Sequence, residues 1–189
     1  MTLNLQTLVC STRPGRIGMS VAQWAQGAAQ AHGKFQAELI DLADFKLPLL
    51  DEPELPRLRK YRNEHTKAWS RSVQAADAFV FVMPEYNSGP PASIVNALSY
   101  LVLEWQYKPV GFVTYGGISG GLRAAQTLKP VLTTLKMMPL PEAVVIPNVA
   151  AQLDAEAGFK PTEMHEGAAK LMLEELHRWA QAIKPLRSI

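Results

Sequence analysis

The sequence predicts an α/β domain with a doubly wound, five-stranded parallel sheet of strand order 2-1-3-4-5 and helices on both faces. Short apolar runs alternate with amphipathic segments along the chain, which is the pattern of parallel strands joined by right-handed helical crossovers. The apolar runs are nearly continuous, as in strands that are buried on both faces. A length of 189 residues suits one domain, so we expect residues 1–189 to form a single unit.

The first part of the chain supplies two strands and a helix. Leu3–Val9 is a predicted strand, and the loop after it is dense in Ser, Thr, Pro and Gly, which favour turns. Met19–His32 carries apolar residues at helical spacing, and Phe35–Ile40 alternates as a strand does. Asp44–Arg62 contains three prolines and a basic run, so we expect irregular surface structure there.

The rest of the chain continues this alternation. The predicted helices are His65–Ala76, Ala92–Leu101, Gly120–Met137 and Thr162–Ile183. The predicted strands are Ala78–Met83, Pro109–Thr114 and Ala143–Ile146. For the last helix, the spacing predicts an inner face formed by Leu171, Leu173, Leu176, Trp179 and Ile183.

Composition and charge exclude several classes of protein. The net charge of +2, from 19 basic and 17 acidic residues, is too balanced for a nucleic-acid-binding protein and unlike the acidic surface of a small electron carrier. One cysteine excludes an internal disulfide and any cysteine-built metal site, and suits a reducing compartment. Met1–Val9 lacks the features of a secretion signal, and prolines and polar residues interrupt the longest uncharged stretch, Tyr86–Leu103. We therefore expect a cytoplasmic protein with no nucleic-acid or membrane partner.

In the predicted sheet, the loops after the first, third and fourth strands meet at the carboxyl edge, where ligands of open α/β sheets bind. The first of them, residues 10–20, leads into a helix, and a helix amino terminus attracts anions. It adds hydroxyl and guanidinium donors and two glycines, namely Ser11, Thr12, Ser20, Arg13, Arg16, Gly15 and Gly18. It is neither a Walker A loop nor a GxGxxG turn. Phosphate binding is one interpretation, and a solvated loop whose Ser20 only caps the helix is the other.

The other two loops suit a flat, heteroaromatic ligand. Residues 83–91 bring together Glu85, Tyr86 and Asn87, which offer an acceptor, an aromatic face and an amide. The alternative is a plain turn before a helix that has Pro91 in its first turn. Residues 114–121 contain four glycines, which let backbone N–H groups approach a ligand closely. A flexible turn with no ligand is the alternative for this segment.

Taken together, the three loops resemble those of the NADPH-dependent FMN reductase family of flavodoxin-like proteins, which also includes bacterial quinone, azo and chromate reductases. That family has a Gly-Ser-x-Arg loop after its first strand, a Pro-Glu-Tyr-Asn loop after its third and a Tyr-Gly-Gly…Gly-Gly turn after its fourth. The match covers Leu3–Leu135, with all three motifs in order. Cys10 stands where the family usually has glycine, and Arg16 stands where many members have serine.

The resemblance implies a flavodoxin-like fold with bound FMN. The residues it assigns to the flavin phosphate are Ser11, Arg13, Arg16, Gly18 and Ser20. Those assigned to the edge and dimethylbenzene side of the ring are Pro84, Glu85, Tyr86 and Asn87. Those assigned to the pyrimidine end, through N–H groups that stabilise the negative charge of the reduced ring, are Tyr115, Gly116 and Gly117.

The resemblance also implies an activity. NAD(P)H reduces the flavin and leaves, and a quinone, free flavin, azo compound or metal oxyanion then takes the electrons in a ping-pong cycle. The cofactor carries the chemistry, so no side chain is expected to act as a general acid or base, and no metal is expected. The resemblance implies a homodimer or homotetramer in which a neighbouring subunit walls the site. The acceptor and the choice between NADH and NADPH stay open.

Two rival functions fit part of the sequence. Gly117–Gly121 matches the GxSxG elbow of serine hydrolases, with Ser119 as nucleophile, and Asp154 followed by His165 or His177 stands in hydrolase order. This interpretation leaves the first two loops unexplained. The other rival is a non-catalytic flavin-binding module that signals redox state to a partner protein.

The remaining candidate residues have plainer interpretations. We expect Cys10 to be a small buried hydrophobe and the four histidines to be surface or capping residues. The basic run Arg57–Arg62 is interpreted as a solvated face, with recognition of the 2′-phosphate of NADPH as the alternative. Trp105 and Tyr107 are placed near the active-site edge, in core packing or at a subunit interface.

Overall fold

The computed structural model describes residues 2–188 and contains the predicted parallel sheet. Its strands are β1 (Leu3–Val9), β2 (Phe35–Asp41), β3 (Ala78–Pro84), β4 (Pro109–Tyr115) and β5 (Met138–Ile146). They pair in parallel in the order β2-β1-β3-β4-β5, which confirms the predicted order. The order reverses between β1 and β3, so the loops after these two strands open a crevice at the carboxyl edge.

Five helices cover the two faces of the sheet. They are α1 (Gly18–His32), α2 (Glu64–Ala75), α3 (Ala92–Ser99), α4 (Leu122–Thr134) and α5 (Glu163–Ile183). Alternate residues of β3 belong to two separate cores, because successive side chains of a strand point to opposite faces. Val80 and Val82 pack with α1 and α5, while Phe79 and Phe81 pack with α2, α3 and α4.

The chain around β5 differs from the prediction. β5 begins at Met138 rather than Ala143, and its pairing with β4 shifts register between Val110 and Phe112. The strand lies at the sheet edge, where prolines are tolerated. The helix before it is shorter at its start, because Gly120 (φ 60°) and Gly121 (φ 87°) adopt left-handed conformations that a right-handed helix excludes.

The predicted inner face of the last helix is partly wrong. Leu171 is 66% exposed and Trp179 is 36% exposed. The buried stripe of α5 instead consists of His165, Ala169, Met172, Leu173, Leu176 and Ala180. Small residues on this stripe let the helix pack closely on the sheet, so a choice based on the size of the apolar side chain selects the wrong positions. His165 is buried, and it forms a capping box with Thr162 at the start of α5.

The sequence suggested that Trp105 and Tyr107 lie near the ligand-binding edge, and this prediction is wrong. They precede β4 and therefore stand at the amino edge of the sheet, opposite the three loops. Trp105 is fully buried against Trp69 and Phe79, which confirms core packing for that residue. Arg59, from the basic run, also lies toward the amino edge, where its guanidinium contacts Gln74 and Glu104.

Candidate functional site

The three predicted loops meet at the carboxyl edge of the sheet and are joined by hydrogen bonds. We call this surface, formed by residues 10–20, 83–91 and 114–121, the three-loop edge. The Ser11 and Tyr86 hydroxyl oxygens lie 2.9 Å apart, which joins the first loop to the second. The Glu85 N–H donates to the Tyr115 carbonyl oxygen at 3.1 Å, which joins the second loop to the third. The structure thus brings together all three groups of predicted site residues.

The first loop presents a helix amino terminus that can accept an anion. The N-cap residue of α1, Ile17, provides no side-chain cap, and the first turn contains no acidic residue. The N–H groups of that turn therefore keep their attraction for negative charge. Gly15 makes the turn in a left-handed conformation (φ 68°). Gly18 is buried so closely against the third loop that a Cβ there would collide with the Tyr115 hydroxyl.

The two arginines of the first loop differ in their surroundings. Arg13 is exposed, and its guanidinium contacts no acceptor within residues 2–188. Arg16 is mostly buried and forms an ion pair with Asp41 at the end of β2 through Nη2, while its buried Nε has no partner in this part of the chain. Arg13 is thus an uncompensated cation at the helix terminus, and Arg16 keeps one unused donor.

Ser20, the last predicted residue of this loop, is used within the protein. Its Oγ accepts a hydrogen bond from the Phe159 N–H, which belongs to a short hairpin of β6 (Leu153–Asp154) and β7 (Gly158–Phe159). A Cβ at Gly158 would collide with this hydroxyl, so the two segments are in close contact. In this structure, Ser20 fastens the hairpin to the start of α1.

Glu85 in the second loop links the end of β3 to the start of α4. Its carboxylate, 9% exposed, accepts hydrogen bonds from the Arg123 N–H at 3.1 Å and the Arg123 guanidinium at 3.3 Å. Burial acts to raise the pKa of Glu85, but hydrogen bonds from Ser119 and Arg123 outweigh it, and the pKa lies below its usual value. Sequence reasoning missed Arg123, although its place just after the glycine-rich turn could have indicated it.

The rest of the second loop is a tight turn with an aromatic side chain at its base. Tyr86 and Gly89 exchange two backbone hydrogen bonds of 2.9 Å. Asn87 (φ 50°) and Ser88 (φ 63°) between them are left-handed, the conformation of both central residues in a type I′ turn. Tyr86 is partly exposed while its hydroxyl is held by Ser11. Pro84 is buried at the end of β3.

Of the two glycine N–H groups predicted as donors in the third loop, one is in use and one is available. The Gly116 N–H donates to the Ile146 carbonyl oxygen at 3.3 Å, whereas the Gly117 N–H contacts no acceptor within residues 2–188. A Cβ at Gly117 would meet no atom within 4 Å, so this backbone faces open space. Tyr115 is buried, and burial raises the pKa of its phenol, so it is neutral at physiological pH.

Cys10 confirms the prediction of a small buried hydrophobe. Its side chain is fully buried, and burial raises the pKa of the thiol well above its usual value. Its carbonyl oxygen accepts a hydrogen bond from the Ser93 hydroxyl at 2.6 Å, which ties the first loop to the start of α3. Cys10 is therefore a packing residue, and burial disfavours its reactive thiolate form.

The structure does not assemble the hydrolase triad. His165 packs against Trp24 and Phe159, and His177 packs against Phe35. Among the hydrogen bonds of residues 2–188, neither ring contacts Ser119. Asp154, the third member in hydrolase order, is paired with Lys160 at 2.6 Å. Within residues 2–188, Ser119 therefore has no histidine base, and the carboxylate that it contacts, Glu85, is paired with Arg123.

No cluster of three or more His, Cys, Asp or Glu side chains within residues 2–188 could hold a metal ion. No described helix has both the length and the apolar character needed to cross a bilayer.

Solved structures share the whole fold. FerB, a flavoenzyme NAD(P)H:(acceptor) oxidoreductase from Paracoccus denitrificans, superimposes with a TM-score of 0.74, covering 96% of this chain and 98% of FerB at 20% sequence identity. A two-electron-reduced flavodoxin from Megasphaera elsdenii superimposes with a TM-score of 0.57, covering 90% and 98% of the two chains at 12% identity. At these identities the likeness shows the fold, which confirms the flavodoxin-like prediction.

Sequence comparison defines the family. An NAD(P)H-dependent FMN reductase from Schizosaccharomyces pombe is 41% identical over 143 residues, or 75% of this chain and 71% of the relative. A second from Nectria sp is 32% identical over 180 residues, or 92% of this chain and 86% of the relative. Residues 3–151 match the family model described as NADPH-dependent FMN reductase. The predicted family and class of enzyme are confirmed: the chain belongs to the NADPH-dependent FMN reductase family.

Proposed function

We propose that this protein is an FMN-dependent oxidoreductase that accepts hydride from NAD(P)H and passes electrons to small acceptors. The observation that carries the proposal is the meeting of an uncapped helix terminus, an exposed arginine, an aromatic side chain and an available backbone donor at one edge of the sheet. The relatives from Schizosaccharomyces pombe and Nectria are named NAD(P)H-dependent FMN reductases, which supports the same reaction.

The first loop fits the phosphate of FMN. Within residues 2–188, the Arg13 guanidinium and the Gly18 and Met19 N–H groups are donors with no protein acceptor, which is the arrangement that a phosphate dianion requires. The buried Nε of Arg16 is an orphaned donor, and a phosphate oxygen would satisfy it. We assign contact with the phosphate to Ser11, Arg13, Arg16 and Gly18, while Ser20 holds the loop through the hairpin.

The other two loops fit the ring of the flavin. We assign the edge and dimethylbenzene side to Pro84, Tyr86 and Asn87, and the pyrimidine end to the Gly117 N–H. A fixed N–H donor stabilises negative charge on whatever group it contacts. Glu85 links the second loop to the start of α4 through Arg123, and the Tyr115 carbonyl oxygen accepts a hydrogen bond from the Glu85 N–H. When bound, FMN supplies the centre that accepts and donates hydride equivalents.

The surroundings of this edge favour reaction with several kinds of electron acceptor. Ile118 is 85% exposed, and Leu122 and Tyr86 are also exposed on the rim. An open apolar rim admits flat aromatic molecules of different shapes, because it provides no closed pocket to reject them. We therefore propose quinones, free flavin, azo compounds and metal oxyanions as acceptors in a ping-pong cycle, with no side chain acting as acid or base.

We also propose a cytoplasmic homodimer or homotetramer. Exposed leucines on the segment after β2 support an interface, among them Leu49, Leu50, Leu55 and Leu58. A cavity of about 450 Å³ lies between this segment and the first loop, and Thr12, Leu49 and Ser93 help to line it. A subunit seated there would lie beside the flavin phosphate. Analytical ultracentrifugation of the purified protein tests this assignment.

The function is tested by flavin content and turnover. The recombinant protein, after incubation with FMN and gel filtration, is expected to keep one flavin per chain and to oxidise NAD(P)H with a quinone in ping-pong kinetics. Arg13→Gln is expected to lose flavin retention, while the matched control Lys170→Gln, on the exposed side of α5, keeps it. A colourless protein, or equal retention in both variants, contradicts the proposal. A flavin-loaded protein without turnover identifies a non-catalytic module instead.

A further inference from the structure

A second cavity of about 560 Å³ lies at the amino edge of the sheet, opposite the three-loop edge. We call it the amino-edge cavity. It is bounded by the end of α2, the turn before β4, the turn before β5 and the segment after α5. Its lining consists of Arg59, Gln74, Leu103, Glu104, Gln106, Tyr107, Lys108, Lys136, Leu186 and Arg187. The proposed flavin chemistry uses none of these residues.

The lining of this cavity is strongly cationic. Arg59, Lys108, Lys136 and Arg187 contribute four basic groups. Two carboxylates oppose them: Glu104 accepts from Arg59, and Asp77 accepts from Arg187. The local excess is two positive charges when Lys108 is protonated and one when it is neutral. A cavity that concentrates one sign of charge attracts ligands of the opposite sign.

The backbone around the cavity is held in an unfavourable conformation at three points. Arg59 (φ 54°), Tyr107 (φ 57°) and Lys136 (φ 56°) are left-handed, and they are three of the seven such non-glycine residues within residues 2–188. All three place a polar or charged side chain on this one cavity. Each of the three follows a helical turn, where a left-handed residue commonly ends the helix, so three chain reversals direct their side chains at one cavity.

Two of these strained residues support each other. The Tyr107 N–H donates to the Lys136 carbonyl oxygen at 2.9 Å. The Lys136 ammonium lies 5.6 Å from the centre of the Tyr107 ring and 3.5 Å from its hydroxyl oxygen. This contact leaves the ammonium exposed with donors to spare. The pair presents an ammonium group at the mouth of the cavity.

Lys108 forms the floor of the cavity and is 4% exposed. Its amine donates to the Val73 carbonyl oxygen at 2.6 Å and to that of Gln74 at 3.3 Å, at the end of α2. Burial and the charge of Arg187 lower its pKa to about 7, although Asp77 and Glu104 act in the opposite direction. Capping of α2 explains the position of Lys108, and helix ends explain the backbone conformations of Arg59 and Lys136, but neither explains why these cations converge on one cavity.

We propose that the amino-edge cavity binds a small organic phosphate, with the phosphate held by Arg59 and Lys136 above Lys108. Its volume falls within the usual range of about 300–1,000 Å³ for ligand pockets. Leu103 and Leu186 supply an apolar wall for the organic part of the ligand. The amino-edge cavity differs in position and residues from the first loop of the three-loop edge. This inference is therefore independent of the proposed function.

The experiment is calorimetric titration of the FMN-loaded protein with pyrophosphate and with AMP. Bound FMN occupies the first loop, so one further binding site per chain identifies the amino-edge cavity. Arg59→Gln and Lys136→Gln are each expected to weaken binding about five- to tenfold. The matched control Lys170→Gln, which removes the same charge elsewhere, is expected to bind as the wild type does. Titration near pH 7.5 in two buffers of different ionisation enthalpy is expected to show proton uptake, which Lys108→Met removes.

Several outcomes would overturn the inference. Absence of saturable binding to the loaded protein at millimolar ligand excludes the site. Binding that Lys136→Gln leaves unchanged places AMP at the nicotinamide nucleotide's position instead. A loss that is equal in Lys170→Gln shows attraction by overall charge only. If the protein takes up no FMN, the same titrations with Arg13→Gln still test the cavity, so the two proposals fail separately.

Discussion

Asp77 fastens the last segment of the chain to the amino edge of the sheet, and its replacement by asparagine is expected to destabilise the protein. The carboxylate, 9% exposed, accepts hydrogen bonds from the Asn4 N–H at 2.9 Å, the Lys184 ammonium at 3.0 Å and the Arg187 guanidinium at 2.6 Å. Burial acts to raise its pKa, but these donors outweigh burial and hold the pKa below its usual value.

The magnitude of the loss follows from the exposure of each partner. Breaking a fully buried ion pair costs about 3–5 kcal/mol. Lys184 is 40% exposed and its share is screened by solvent, whereas Arg187 is 18% exposed. Asparagine still accepts from the Asn4 N–H. Asp77→Asn is therefore expected to lower the free energy of unfolding by about 2–3 kcal/mol at neutral pH.

The dependence on pH gives a second check. Because the pKa of Asp77 is lower in the folded state than the unfolded value of about 3.9, its contribution is complete above that value and disappears as the pH falls through the folded pKa. Urea unfolding of the wild type and Asp77→Asn is expected to differ at pH 7 and to converge in acid. Asp154→Asn, which removes a carboxylate from the exposed pair with Lys160, is the control and should change little. Equal losses in both variants, or a difference that persists in acid, would refute the reasoning.

Three further predictions concern the three-loop edge. Gly18→Ala places a Cβ against the Tyr115 hydroxyl and is expected to cost about 1–3 kcal/mol in urea unfolding; the double variant with Tyr115→Phe should recover most of the loss, and no recovery would show that the clash lies elsewhere. Glu85→Gln removes the charged contact with Arg123 and is expected to weaken FMN binding several-fold in fluorescence titration. The control Glu175→Gln, at an exposed pair with Arg178, is expected to leave the affinity unchanged. Equal affinities of the two variants for FMN would contradict a role for the contact between Glu85 and Arg123. Cys10 is expected to resist a thiol reagent at pH 8 in the folded protein and to react after unfolding; fast reaction of the folded protein would show an accessible thiolate.

Local pattern was sufficient to predict most of the sheet. The strands β1, β3 and β4 are apolar runs bounded by turn residues, so their limits were within a residue or two of the prediction. The start of β5 was missed because Pro139 and Pro141 argue against a strand, and only its position at the sheet edge makes them acceptable. The buried face of α5 was misjudged because alanine contributes little to an apolar pattern, yet it packs closest to the sheet.

The meeting of the three motifs at one edge was predictable because they lie in loops that the topology must bring together. Contacts between distant segments were beyond such reasoning. Neither the pairing of Arg16 with Asp41 nor the hold of the hairpin on Ser20 has a local signature, since 25 and 139 residues separate the partners. The amino-edge cavity was missed for the same reason. Lys108, Lys136 and Arg187 are spread over 80 residues of sequence and converge only through the crossovers that bring β4, β5 and α5 side by side.

The two proposed anion sites differ because the two edges of the sheet present opposite ends of helices. At the three-loop edge, backbone N–H groups at the start of α1 favour negative charge, and the exposed Arg13 lies in the same loop. At the amino edge, helix α2 ends rather than begins, so its carbonyl oxygens attract cations, and Lys108 lies against them. An anion in the proposed amino-edge site has no helix amino terminus to contact and would be bound by side chains such as those of Arg59 and Lys136. The polarity of the parallel α/β fold thus assigns backbone recognition to one edge and side-chain recognition to the other.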